Sequence, residues 1–151
     1  MIRIITVGSI KESYLKEAIE EYTKRISKYM NIEMIEVKDE GLEEVEKNLK
    51  LEEERILKQI HPKDYIITLE IEGKELSSVE FAEKMNHIMI ENSNITFIIG
   101  GSYGLSDTIK ERANYHLSFS KMTFPHQLFR ILLLEQIYRA FKINHNESYH
   151  K

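Results

Sequence analysis

Cysteine is absent from this 151-residue chain, which excludes disulfide frameworks, thiolate zinc sites and cysteine nucleophiles. Proline occurs only twice and glycine six times, and apolar residues make up 42% of the chain in periodic blocks, so low complexity and disorder are excluded too. No apolar run approaches the roughly 18–20 residues of a membrane span. Met1-Ile2-Arg3 opens directly into a strand-like run rather than a signal peptide. The expectation is a cytoplasmic protein with no membrane association. Its single compact domain over 1–151 would bury roughly 68–70% of its unfolded surface. No Ser-His-Asp arrangement, H-E-x-x-H motif or paired-carboxylate spacing is present, so hydrolytic and metal-dependent chemistry lack support and no metal ligands are assigned.

Positive charge is scarce in most of the chain and concentrated at its end. The total is −4, but residues 1–109 hold 14 Lys+Arg against 22 Asp+Glu, a net of −8. Residues 110–151 hold 7 against 3, a net of +4, with four of the six His. A basic terminal third on an acidic body can steer a phosphate-bearing partner. An ordinary surface with uneven charge explains the same numbers.

Strand and helix signals alternate along the chain. IRIITV (2–7) ends at Gly8 and predicts a buried strand. Leu15, Ala18, Ile19, Tyr22, Ile26, Tyr29 and Met30 mark one face of an amphipathic helix. NIEMIEV (31–37) predicts a second strand. Residues 40–60 predict a helix with Leu42, Val45, Leu49, Ile56, Leu57 and Ile60 inward, stopped by His61-Pro62. YIITLEI (65–71) predicts a third strand closed by Gly73. Ser77 and Glu80 form a capping-box signature for a helix over 78–91, with Val79, Ala82, Met85 and Met89 inward. ITFIIG (95–100) predicts a fourth strand, residues 107–114 a short helix capped by Ser106, YHLSFS (115–120) a fifth strand, and 126–143 a terminal helix after Pro125. The class is α/β, a mostly parallel sheet with helices on both faces. Ligands of such sheets sit at the carboxyl ends of the strands, which singles out Leu69 onward, Gly100–Gly104 and Ser118–His126.

IIGGSYG (98–104) is the strongest local motif. Adjacent glycines at a strand end let the backbone bend and a ligand approach; a plain tight turn accounts for them equally. The spacing is neither a dinucleotide fingerprint nor a phosphate loop. In LSFSKMTFPHQ (117–127) a strand leads into a loop with free backbone groups and then a helix start, either a planar-ring reader or a simple connection. His126 at that start is a candidate base or a histidine bonded at a helix end. The helix 130–143 is apolar on more than one stripe, which fits an intersubunit contact. Glu135 and Arg139 are spaced for an i,i+4 ion pair, while Arg130 and Arg139 also suit phosphate. Tyr149, His150 and Lys151 end the chain as a frayed tail or as a group for stacking on a base.

IGGSYGL (99–105), LSFSKMTFPHQLFRILLLEQIYRAF (117–141) and YHK (149–151), with TVGSIK (6–11) and TLEIEGK (68–74), together resemble a known family. It is the SPOUT-superfamily methyltransferases of the ribosomal RNA large subunit methyltransferase H type, which methylate N3 of a pseudouridine in 23S rRNA. The resemblance spans the whole chain. It implies a SPOUT-like C-terminal trefoil knot, an exception to ordinary chain threading, and a homodimer with S-adenosyl-L-methionine bound bent near the subunit interface. It implies cofactor contacts at Leu69, Gly100, Phe119, Ser120, Lys121, Met122, Thr123 and Phe124. Tyr149 and His150 match the family's YH end, which reaches toward the partner's active site; Ser148 stands where many members carry Pro. His126, His150, Arg139 and Tyr149 become candidate catalytic residues, and the implied partner is 23S rRNA in the ribosome rather than DNA. Two rivals stand beside it. A nucleotide-binding oxidoreductase lacks its glycine fingerprint after the first strand, and a non-catalytic dimeric RNA-binding module leaves the glycine turn without a purpose.

Overall fold

The computed structural model describes residues 1–151. Five strands, β1 (Ile2–Val7), β2 (Ile32–Val37), β3 (Tyr65–Glu75), β4 (Ile95–Ile99) and β5 (Tyr115–Ser118), alternate with α1 (Ser13–Ser27), α2 (Val45–Leu57), α3 (Ser78–Glu91), α4 (Asp107–Arg112) and α5 (His126–Asn144). All the pairings are parallel, in the order β2-β1-β4-β3-β5. Side chains two apart along a strand share a face. Ile2, Ile4, Ile67, Ile95, Phe97, Ile99 and Leu117 therefore join α3 and α5 and the end of α1 in the larger core. Ile5, Val7, Val37, Ile66 and Ile98 face the other way, toward Ile56 of α2 and Ile109 of α4. No helix is long and apolar enough to cross a membrane.

Two polar clamps fix the ends of the sheet. At the amino ends, Arg3 Nη1, Thr96 Oγ1 and the His61 amide all donate to Asp64 Oδ2, at 3.2, 3.0 and 2.9 Å. One buried carboxylate thus ties β1, β4 and the entry to β3 together. At the carboxyl ends, Arg130 of α5 is buried and donates to the Val7 and Gly8 carbonyls at 3.1 and 3.0 Å and to Glu36 Oε2 at 2.7 Å. The helix start is thereby held across the exits of β1 and β2.

Most expected elements form, with four differences. Strand β3 continues through Gly73 instead of closing there. Its register against β5 slips between Leu69 and Lys74, so Gly73 lies against the β5 backbone, where a Cβ would come within 2.8 Å of the Leu117 carbonyl carbon. In α3 the capping box forms, but Phe81, Ala82, Met85 and Ile88 point inward while Val79 is half exposed. The sheet lies about one position round the helix from the expected face. In α2, which starts at Val45 and ends at Leu57, Val45 and Leu57 are exposed and Asn48, Glu52 and Glu53 are buried beside Ile56. Those polar groups turn inward because each has donors there. Asn48 Oδ1 accepts from the Leu42 amide at 2.8 Å, Glu52 Oε2 from Asn48 Nδ2 at 2.9 Å, and Glu53 Oε1 from Ser106 Oγ at 2.8 Å. Finally, Arg130 is enclosed, so it holds strand ends together and is not free to meet phosphate.

Arg130→Met is expected to lower stability by about 2–4 kcal/mol, because two buried carbonyls lose their donors and Glu36 its partner. A urea titration checks this as a lower midpoint at unchanged slope.

Candidate active site

Three strand exits converge on one cavity of about 310 Å³, within the roughly 300–1,000 Å³ of small-molecule sites. Strand β3 contributes Leu69 and Glu70, followed by Ile71 and Glu72; strand β4 contributes Ile99 and the glycines after it; β5 and the segment behind it contribute Leu117–Ser120 and Met122–Phe124. His126 and Phe129 of α5 and Lys110 of α4 complete the wall.

The glycine turn is built by its own backbone. Gly104 has φ +77°, and its amide donates to the Gly101 carbonyl at 3.1 Å. A Cβ at Gly100 would overlap the Gly104 carbonyl. Gly100 is therefore required first by the turn, and only then by anything that lies against it. The turn is anchored from outside: Tyr103 Oη donates to the Leu42 carbonyl at 3.1 Å, and Ser106 caps α4 through the Ile109 amide at 3.3 Å while donating to Glu53. Glu53 sits below the usual carboxylate range, chiefly because Ser106 donates to it. Burial pushes its neighbour Glu52 up, against the bonds from the Glu40 amide and Asn48.

The segment 119–125 is folded on itself. Ser118 Oγ donates to the Ser120 carbonyl at 3.1 Å, and the Met122 amide donates to Ser120 Oγ at 3.0 Å. Phe129, one helical turn beyond the start of α5, packs on Phe119 and Phe124 with ring centroids 4.8 and 6.1 Å apart. The loop thus has an aromatic clamp behind it and turns its remaining polar backbone groups toward the cavity or solvent.

The structure gathers Leu69, Gly100, Phe119, Ser120, Met122, Thr123 and Phe124 with His126 around this cavity. Lys121 is exposed and lies outside the wall. His126 is held at the mouth of β1: a Cβ on Gly8 would lie 3.8 Å from its Cε1. Its Nδ1 is buried without a hydrogen-bond partner. Burial, with help from the Arg130 charge, lowers its pKa against a weaker opposing pull from Asp39. The imidazole is therefore neutral near pH 7 and keeps a lone pair for a proton.

Arg139, Tyr149 and His150 form a second group elsewhere. Arg139 Nε donates to Glu135 Oε1 at 2.7 Å, the expected i,i+4 pair. Its guanidinium carbon lies 4.7 Å from the Tyr149 ring centroid, and Nη1 donates to His150 Nδ1 at 3.1 Å. The tail is folded back rather than frayed: Asn146 takes φ +54°, Glu147 accepts from Tyr29 Oη and Lys142 Nζ at 2.9 Å each, and Tyr149 meets Tyr138 edge-on at 5.0 Å. Thirteen helical positions separate His126 from Arg139, about 20 Å at 1.5 Å per residue. Within one chain, then, the tail group and the cavity are separate. Lys110 and Phe129 are wall residues outside the stretches that sequence reading singles out, and Glu70 lies in the stretch from Leu69 onward without a role of its own. Phe129 had a signal in its one-turn spacing from His126, whereas Glu70 depends on the β3 register slip, which has none.

The family model described as "Predicted SPOUT methyltransferase" matches residues 1–150. The chain is 56% identical to the putative ribosomal RNA large subunit methyltransferase H of Methanococcus maripaludis, over 99% of each sequence. It is 53% identical to the ribosomal RNA large subunit methyltransferase H of Caldicellulosiruptor saccharolyticus, over 100% of each. A probable methylase family protein from Haemophilus influenzae shares the fold at a TM-score of 0.60 with 16% identity, over 99% of this chain and 70% of that one. A cavity at the strand exits, a glycine turn and a folded C-terminal loop occur together in a chain matched end to end, and the chain belongs to the SPOUT methyltransferase family.

Proposed function

We propose that this methyltransferase binds S-adenosyl-L-methionine at the β3–β4–β5 exits and methylates N3 of a pseudouridine in 23S rRNA, on the assembled ribosome. The observation that carries the reading is the single cavity onto which Leu69, Gly100 and the loop after β5 converge, with His126 in its wall. The substrate class follows the names of relatives that match along their whole length. The wall suits this cofactor: apolar Leu69, Phe119 and Phe124 for a planar base, backbone groups for its polar edge, and the Lys110 ammonium for the carboxylate of an amino-acid end. When bound, S-adenosyl-L-methionine supplies a methyl group on a sulfonium sulfur, an already activated donor.

The chain's own residues then have modest work. The loop 119–124 and the turn 100–104 orient the bound molecule, and the pocket fixes the target nitrogen in line with it. His126, neutral and lining the cavity, accepts the N3 proton. Residue 121 contributes through its backbone or through its exposed ammonium toward phosphate. Because the tail lies about 20 Å from the cavity of its own chain, Arg139, Tyr149 and His150 serve the partner's site in a homodimer. The apolar breadth of α5 supports such a contact. The reading includes the trefoil knot that the family implies; residues 119–125 carry the chain from edge strand β5 to α5, whose Arg130 bonds the Gly8 carbonyl.

Isothermal titration with S-adenosyl-L-methionine, with NADH as control, tests the cofactor. Saturable heat is expected from the first alone. Thr123→Trp, which fills the cavity from an exposed position, should weaken binding at least about tenfold at an unchanged melting temperature. Gly100→Arg is a poorer probe, since it breaks the turn itself. If the wild-type chain binds ribosomes and no cofactor, the RNA-binding module is correct.

In the pH profile of kcat/KM, the acid limb should fall below the ordinary histidine value of about 6.5, because burial lowers the His126 pKa and the neutral form is the active one. Activity rises with pH through that limb and is flat above it; His126→Asn should remove the limb and most of the rate.

Deleting Tyr149–Lys151 should spare cofactor binding and abolish methylation. Mixing that truncated chain with His126→Asn should restore part of the activity, since one of the two sites then combines an intact His126 with an intact partner tail. Absence of rescue would place the tail's role within its own chain.

A further inference from the structure

Glu70 is the most enclosed charge in the cavity wall, and nothing in the mechanism above uses its sign. Its side chain is 14% exposed, against 38% for Lys110. Thr68 Oγ1 donates to Glu70 Oε2 at 2.6 Å, and His116 Nδ1 bonds the same oxygen. A carboxylate only accepts, so His116 presents Nδ1–H to it. On the other side, Lys110 Nζ lies 3.9 Å from Oε1. Beside the β3 register slip between Leu69 and Lys74, Thr68 of β3 and His116 of β5 bond this carboxylate in the cavity wall, and the Lys110 ammonium of α4 stands near it.

The charge of the wall is therefore unbalanced. Glu70 and Glu72 stand against Lys110, with His126 held neutral by burial. A wall with one net negative charge favours a ligand with one net positive charge over a neutral ligand of the same shape, and the effect is larger away from water. S-adenosyl-L-methionine and its product differ in that way. The methyl–sulfur bond breaks as the methyl–nitrogen bond forms, sulfur keeps the electron pair, and the sulfonium becomes an uncharged thioether.

We infer that Glu70, fixed by Thr68, His116 and Lys110, is the specificity-determining residue that makes the cavity prefer the cationic cofactor over its neutral product, S-adenosylhomocysteine. The inference rests on the cofactor reading proposed above and goes beyond it. The preference lowers product inhibition and helps to empty the site after each turnover.

The test is the ratio of dissociation constants for S-adenosylhomocysteine and S-adenosyl-L-methionine, measured by titration calorimetry on the full chain. Glu70→Gln keeps the shape and removes the charge; the ratio should fall about tenfold, the scale of one charge-assisted contact. Sinefungin, whose amine replaces the sulfonium, should weaken alongside the cofactor. Lys110→Met, at a half-exposed position, should move the ratio the other way. Equal weakening of all three ligands by Glu70→Gln would overturn the inference, because Glu70 would then be reading the amino-acid end they share. An unchanged ratio in both variants would overturn it too. Failure of the wild-type chain to bind any of the three would instead overturn the cofactor reading itself.

Discussion

The Arg130 guanidinium is the contact on which the site depends. It leaves α5 one turn after the start of that helix and ends on the Val7 and Gly8 carbonyls and on Glu36. A buried cation needs acceptors on its donors, or its burial costs several kcal/mol. Three acceptors meet Nη1 and Nη2 at the mouth of β1 and β2. Satisfying the guanidinium therefore fixes where α5 begins. With the helix start fixed, His126 sits over Gly8, Phe129 reaches Phe119 and Phe124, and the loop between β5 and α5 has its two ends defined. The position of the cavity wall follows from one charge-assisted set of bonds.

A second polar layer supports the opposite wall. Helix α2 turns Asn48, Glu52 and Glu53 inward and uses them to hold loops: residues 40–42 through Asn48 and Glu52, and the segment after the glycine turn through Ser106. Buried carboxylates are costly unless bonded, and here the bonds go to backbone amides and hydroxyls that have no other regular partner. The glycine turn itself is closed by backbone alone, with Gly100 against the Gly104 carbonyl. Rigidity at this exit comes from neighbours of the turn, while the turn supplies the shape.

Charge in the molecule is divided by place. The cavity wall is slightly negative and holds a neutral imidazole, which suits a cationic small molecule and a proton to be removed. The cations of the terminal third lie mainly elsewhere: Arg130 is consumed by structure, and Arg139 and Lys142 are gathered with tyrosines near the tail. A net total of −4 hides this separation, since what steers a nucleic acid is local potential rather than the sum.

The sequence by itself determined the class of fold and most element boundaries: alternating apolar runs, the Ser77–Glu80 capping box and Ser106 as a cap are local effects, complete within a few residues. It also pointed to the three strand exits that line one cavity, because the glycines at 100 and 101 and the loop after Ser118 stand where strands end. Only the tertiary structure decided that α2 buries carboxylates, that Val79 faces out, that Gly73 lies inside a strand, that Arg130 is structural and that Glu70 enters the cavity wall. Four of these depend on a partner far away in the chain: Ser106 for Glu53, the β5 backbone for Gly73, the β1 carbonyls for Arg130, and His116 for Glu70. Periodicity reports which side chains prefer to leave water, and it carries no information about which distant donor makes a polar one worth burying.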